Sequence, residues 1–182
     1  MKRDIKQTSD IRGLEFFNTI DNNYKFDTKK LNYLESISTS PFKINPEALK
    51  LFKEDYTKNN ILPIDISPQE FNYLNKIPKS EFFSYLVYRY EFKVFPKKKI
   101  RSAFPCYVLI EPVSSCNLKC PMCFQSDKTF IKKEYMGKMQ PELFKKVVDE
   151  CEAGGTKAIT FGSRGEPTIH PDFLDFVSYV KG

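Results

Sequence analysis

Residues 106–123 read CYVLIEPVSSCNLKCPMC. The run Cys106-Tyr107-Val108-Leu109-Ile110 is short, continuous and apolar, with β-branched and aromatic residues, which predicts a strand buried on both faces. It feeds directly into a loop that carries Cys116, Cys120 and Cys123, three of the chain's five cysteines.

Downstream the pattern repeats. Leu143, Phe144, Val147, Val148 and Cys151 recur at helical spacing, which predicts a helix from Pro141 to Ala153 with proline at the first position and Gly154-Gly155 closing it. Ala158-Ile159-Thr160-Phe161-Gly162 then reads as a second buried strand. Pro171 opens a further helical pattern through Phe173, Leu174, Phe176 and Val177. Strand, helix, strand, helix is the signature of a parallel α/β architecture, in which ligand sites gather at the carboxyl ends of the strands. Both conspicuous loops lie at such ends: the cysteines after the first strand, and Ser163-Arg164-Gly165-Glu166-Pro167 after the second.

Upstream the chain reads as a different region, with a division near residue 104 into 1–104 and 105–182. Residues 1–40 carry few signals and predict loops with a short strand at most. Asn45-Pro46-Glu47 supplies an N-cap, a proline at the first helical position and an early acid ahead of Leu49, Phe52 and Tyr56. Ser67-Pro68-Gln69-Glu70 is a capping box in front of Phe71 and Leu74. From Ser80 to about Phe92, the residues Phe83, Leu86, Val87 and Tyr90 share one helical face. The first region is therefore expected to be mainly helical, ending in a basic linker around Pro96 to Arg101.

Composition narrows the functional classes. The 182 residues suffice for a core, and 41% hydrophobic and 15% aromatic residues exclude a disordered chain. The net charge of +6 contains only one dense basic run, Lys97-Lys98-Lys99 with Arg101. No nucleic-acid reading motif accompanies it, so no nucleic-acid partner is expected. The start, MKRDIKQTSD, has no apolar stretch behind its basic residues, and no long apolar run follows elsewhere, so a cytoplasmic protein without a membrane partner is expected. The odd, clustered cysteines fit reduced thiolates serving a metal or redox site better than a disulfide framework.

Thiolates suit zinc, copper(I) and iron–sulfur clusters, so ligand number decides among them. Structural zinc draws on four closed ligands, and beyond the loop the chain offers only Cys106, Cys151 and His170 as candidates. Cys106 and Cys151 read as small buried hydrophobes and His170 as a loop or capping residue. Cys120-Pro121-Met122-Cys123 spells C-x-x-C, but a redox pair has no third cysteine four residues upstream. Neither bacterial nor plant-type ferredoxin spacing matches either. Three thiolates at these gaps leave room for a cluster with one iron lacking a protein ligand.

Cys116-x-x-x-Cys120-x-x-Cys123 after a strand, followed by a helix, a strand and Gly165-Glu166-Pro167, resembles the opening of a radical S-adenosylmethionine (radical SAM) enzyme. The resemblance covers residues 106–182 and implies a partial (β/α)6, TIM-like barrel, of which about two strand–helix units are present. It implies a [4Fe–4S] cluster on Cys116, Cys120 and Cys123, with S-adenosylmethionine chelating the open iron. One electron, from a donor such as flavodoxin or ferredoxin, would then release methionine and a 5′-deoxyadenosyl radical that abstracts hydrogen from a peptide, cofactor or sugar.

Arg164, Gly165, Glu166 and Pro167 look like the family's Gly-Gly-Glu-Pro stretch, which binds the cofactor's amino group. Arg164 stands in place of the first glycine and offers a cation to a carboxylate. Met122 replaces the usual aromatic residue near the adenine. Lys128, Lys132, Lys133 and Lys138, in a segment expected to overlie the cluster loop, read mainly as surface residues. With only two units present, the chain is expected to be a piece of a longer enzyme, weakly active or inactive alone. A non-catalytic iron–sulfur electron carrier and a zinc-binding interaction module are the alternatives.

Overall fold

The computed structural model describes residues 28–39 and 43–181. The chain forms two compact units, one ending at Lys97 and the other beginning at Lys98.

The first unit is helical. Helix α1 spans Thr28–Ser36, α2 Pro46–Asn59, α3 Pro68–Leu74 and α4 Lys79–Lys98. Helix α1 corrects the expectation of loops at 28–36; Leu31 and Leu34, three apart, are both buried, and tertiary burial carries a helix whose local signals are weak. Residues 1–27 lie outside the described residues.

Asn45 caps α2 by accepting from the N–H groups of Glu47 and Ala48, and the Ser67–Glu70 capping box forms in both directions. Helix α4 is the centre of the unit. Phe52 of α2 meets Phe83 and Tyr90 of α4 edge-on, at 6.2 and 5.6 Å between centroids, and the Tyr90 hydroxyl donates to Asp55 at 2.6 Å. Glu70 of α3 is buried beside Arg89 and Lys93, accepting from Lys93 Nζ at 2.6 Å.

The third predicted helix is longer than its sequence signal. It runs through Pro96 and stops at Lys98, before Lys99 with φ of 56°. Phe95 is 2% exposed and packs on Tyr90. Its burial, about 1.5–3 kcal/mol, offsets a proline cost of about 3 kcal/mol. The linker accordingly begins later than expected.

The second unit is α/β. Strand β1 (Tyr107–Ile110) pairs in parallel with β2 (Ala158–Phe161), Tyr107 opposite Ala158 and Ile110 opposite Phe161. Helix α5 (Pro141–Gly154) connects the strands, and α6 (Phe173–Lys181) follows β2. Gly155, with φ of 83°, ends α5 in the left-handed conformation that glycine adopts without strain. Helix α6 begins two residues later than the Pro171 signal suggests.

Ile110, Phe144, Val148 and Phe176 form the core, with Val108, Ile159 and Phe161 packed against it. These strand residues share one face, because side chains alternate along a strand. The other face is open: Leu109 is 47% exposed and Thr160 is exposed. This corrects the expectation of strands buried on both faces, since among the described residues both helices of the core cluster serve one side. No helix among the described residues is long and apolar enough to cross a membrane.

Candidate metal and cofactor site

The carboxyl ends of β1 and β2 lie side by side because the strands are parallel and in register. Gly162 N–H donates to Ile110 O at 3.0 Å, extending the ladder to where both chains turn into loops. The segment after β1 is Glu111-Pro112-Val113-Ser114-Ser115-Cys116.

The cysteine loop is closed at its base by the chain's return. Met139 N–H donates to Pro112 O at 2.8 Å and Ser114 N–H to Gly137 O at 3.1 Å. The Ser114 hydroxyl, buried, accepts from Gly137 N–H at 2.7 Å and donates to Gly137 O at 3.2 Å. Gln125 Nε2 donates to Ser114 O at 2.8 Å. His170, also buried, points Nε2 at Met139 O at 3.1 Å, while its Nδ1 accepts from Asp172 N–H at 3.1 Å. That pair of contacts puts the proton on Nε2 and makes His170 a brace between the loop's return and the start of α6.

Cys116, Cys120 and Cys123 line a cavity of about 450 Å³, together with Lys119, Lys128 and Gln125. That volume falls in the range of small-molecule sites. Leu118 N–H donates to Cys116 Sγ at 3.4 Å, and Cys123 N–H to Cys120 O at 3.0 Å, so the loop is locally ordered around its sulfurs. Asp127 is turned to its own backbone, where Thr129 N–H and then the Thr129 hydroxyl hold its carboxyl below the usual value.

Among the described residues no three His, Cys, Asp or Glu side chains converge on one metal ion. In an iron–sulfur cluster each thiolate takes its own iron, so the sulfurs need not meet at one point. The donor set, three soft thiols around a ligand-sized cavity, fits an iron–sulfur cluster with a vacant iron.

The second loop is fastened to the first. A Cβ on Gly165 would lie 1.8 Å from Val113 O and 2.7 Å from Ser115 O, so only glycine permits this approach. Glu166 N–H donates to Ser115 O at 2.9 Å. The Glu166 carboxylate caps a short 3₁₀ turn at Pro167–Ile169; the hydroxyl and then the N–H of Thr168 hold it below its ordinary pKa. Arg164 delivers its cation to Glu111, with Nη2 at 2.9 Å from Oε1.

The structure thus brings the three cysteines together and sets the Arg164–Pro167 loop against the root of their cavity, without making that loop part of its wall. Met122 is 87% exposed and does not line the cavity either. Of the four lysines singled out, Lys128 lines it; Lys132, Lys133 and Lys138 do not. Sequence reasoning missed Glu111, Ser114 and Lys119. The signal available for Glu111 was its place directly after a strand that leads into the cysteines.

Residues 110–182 match the family model described as the radical SAM superfamily. The chain is also similar, at 42% identity over 76 residues, to the tungsten-containing aldehyde ferredoxin oxidoreductase cofactor-modifying protein of Pyrococcus furiosus. The similar stretch is 41% of this chain and spans about a fifth, 20%, of that relative's length. No solved structure matches the chain.

Proposed function

We propose that residues 105–182 build the cofactor-cleaving part of a radical SAM enzyme, with Cys116, Cys120 and Cys123 holding a [4Fe–4S] cluster. What supports this most is one arrangement: three thiols lining a single cavity at a parallel strand end, with Gly165-Glu166-Pro167 anchored beside it from the neighbouring strand end. The two strand–helix units would be the opening of a partial (β/α)6 barrel.

Bound together, a reduced cluster and S-adenosylmethionine would supply one-electron cleavage of the sulfonium to methionine and a 5′-deoxyadenosyl radical. The chain's own residues set the conditions. The three thiolates would leave one iron of a four-iron cluster without a protein ligand, open to the amino and carboxylate groups of the methionyl part. Lys119 and Lys128 in the cavity wall offset the negative charge that the thiolates bring. Leu118 N–H supports Cys116 Sγ as an outer-shell donor does for a metal ligand. Gly165 and the Glu166 N–H keep the second loop against the cysteine loop, so backbone and carboxylate acceptors stand near an incoming ammonium.

A thiol set that must stay reduced to hold a cluster suits a reducing compartment, so a cytoplasmic location is part of this proposal. The electron donor would be a flavodoxin or ferredoxin, and the substrate a peptide, cofactor or sugar. The Pyrococcus relative's name favours a cofactor.

Anaerobic incubation with iron and sulfide tests the assignment. It should produce absorbance near about 400 nm, as thiolate-ligated clusters do, and alanine at any of the three cysteines should abolish it. Stoichiometric zinc without colour would overturn the assignment in favour of an interaction module. With S-adenosylmethionine and a strong reductant, 5′-deoxyadenosine separates an enzyme from an electron carrier.

A further inference from the structure

We propose that Glu111 is a positioning residue of the S-adenosylmethionine site and acts through Arg164; this rests on the function proposed above. Glu111 is the first residue after β1, and Arg164 lies 53 positions later, just beyond β2. The two are joined three times. Arg164 N–H donates to Glu111 Oε2 at 3.1 Å, while Arg164 Nε and Nη2 donate to Oε1 at 3.2 and 2.9 Å. One carboxylate therefore fixes both the backbone and the side chain of the residue that opens the Gly-Glu-Pro loop.

The effect carries along the chain. Gly165 lies against Val113 O and Ser115 O, and Glu166 N–H donates to Ser115 O. Residues 164 and 166 are thus hydrogen-bonded to the segment 111–115, and Gly165 lies close against it; the segment's next residue is Cys116. Glu111 sets the start of that contact, and with it the distance between the cysteine loop and the acceptors on Glu166. Arg164, unusual at a place where related motifs have glycine, is the side chain that makes the clamp possible.

Both side chains are partly exposed, at 33% and 29%, and neither belongs to the core of Ile110, Phe144, Val148 and Phe176. A partly exposed pair contributes little to global stability. Its influence should fall on cofactor affinity, because charge-assisted, forked hydrogen bonds fix geometry.

The test uses the full chain, reconstituted with iron and sulfide, as wild type and as Glu111→Gln, Glu111→Ala, Arg164→Gly and the Glu111→Ala/Arg164→Gly double variant. Iron content, thermal midpoint and the cofactor's dissociation constant are measured, the last from the change in the reduced cluster's paramagnetic resonance signal. Iron content and midpoint should stay at wild-type values. Glu111→Gln should weaken S-adenosylmethionine binding roughly tenfold and Glu111→Ala more, since an amide keeps one acceptor and loses the charge. The double variant should bind no more weakly than Glu111→Ala, because both substitutions break one linkage. Unchanged affinity in the Glu111 variants overturns the proposal, as does loss of iron or thermal stability in parallel with affinity, which would make Glu111 a general structural residue. A wild-type cluster indifferent to S-adenosylmethionine would instead overturn the proposed function, and Glu111's role with it.

Discussion

The helical unit and the cysteine loop hold their shapes by different means. In the first, Phe52 and Tyr90 are fully buried and Tyr56 and Phe83 nearly so, and side chains packed around α4 do the holding. In the second, Leu118, Met122 and Phe124 are 57, 87 and 49% exposed. There the work falls to backbone N–H and C=O pairs, to Ser114, and to one glycine pressed against carbonyls. A loop proposed to hold a metal must keep its sulfurs accessible, so apolar burial is not open to it as a means of order. Hydrogen bonds and close backbone contact order such a loop without covering it.

The contrast can be broken at several points. The largest effect is expected at the sulfurs: Cys120→Ala should remove the cluster's absorbance entirely while leaving the thermal midpoint of the metal-free chain unchanged, because Cys120 is exposed. Phe52→Ala should do the reverse. Emptying that site in the helical core costs about 3–5 kcal/mol in denaturant unfolding, with the cluster still assembled in native buffer.

Gly165→Ala tests the backbone contact. The added methyl meets Val113 O at 1.8 Å, and overpacking of this kind costs up to about 3 kcal/mol. Cluster assembly and cofactor affinity should suffer more than the far-ultraviolet circular dichroism does.

Glu70 supplies a pH signature for the helical unit alone. Burial raises its carboxyl, but hydrogen bonds from Lys93 and Ser67 and the Arg89 charge hold it at about 2 against an ordinary 4.5. A carboxyl depressed on folding stabilises fully above its unfolded value, and the contribution disappears as pH falls from about 4.5 towards about 2. Its size is on the order of 2 kcal/mol. Acid titration of the helical signal should therefore steepen through that window in the wild type and flatten in Glu70→Gln.

What could be read in advance divides along the same line. The Asn45 cap, the Ser67–Glu70 box and the Gly155 stop were legible because each is a local bond among residues a few positions apart. That the three cysteines would share one loop and line one cavity was legible from their spacing. Helix α1 was not, since Leu31 and Leu34 matter only once something covers them. Nor was the pairing of Glu111 with Arg164, which depends on two strands lying in register across 53 residues. The departure at Arg164 was visible in the sequence; the carboxylate that it serves was visible only in the fold.

The loop at 116–123 is proposed to hold a cluster with one iron open to S-adenosylmethionine. The most direct measurement is electron paramagnetic resonance of the anaerobically reconstituted, dithionite-reduced chain before and after S-adenosylmethionine is added. About four irons and four sulfides per chain are expected, as for a [4Fe–4S] centre, with a signal whose g-values shift when the cofactor reaches the open iron. A colourless chain loaded with zinc, or a cluster whose signal the cofactor leaves unchanged, would contradict it.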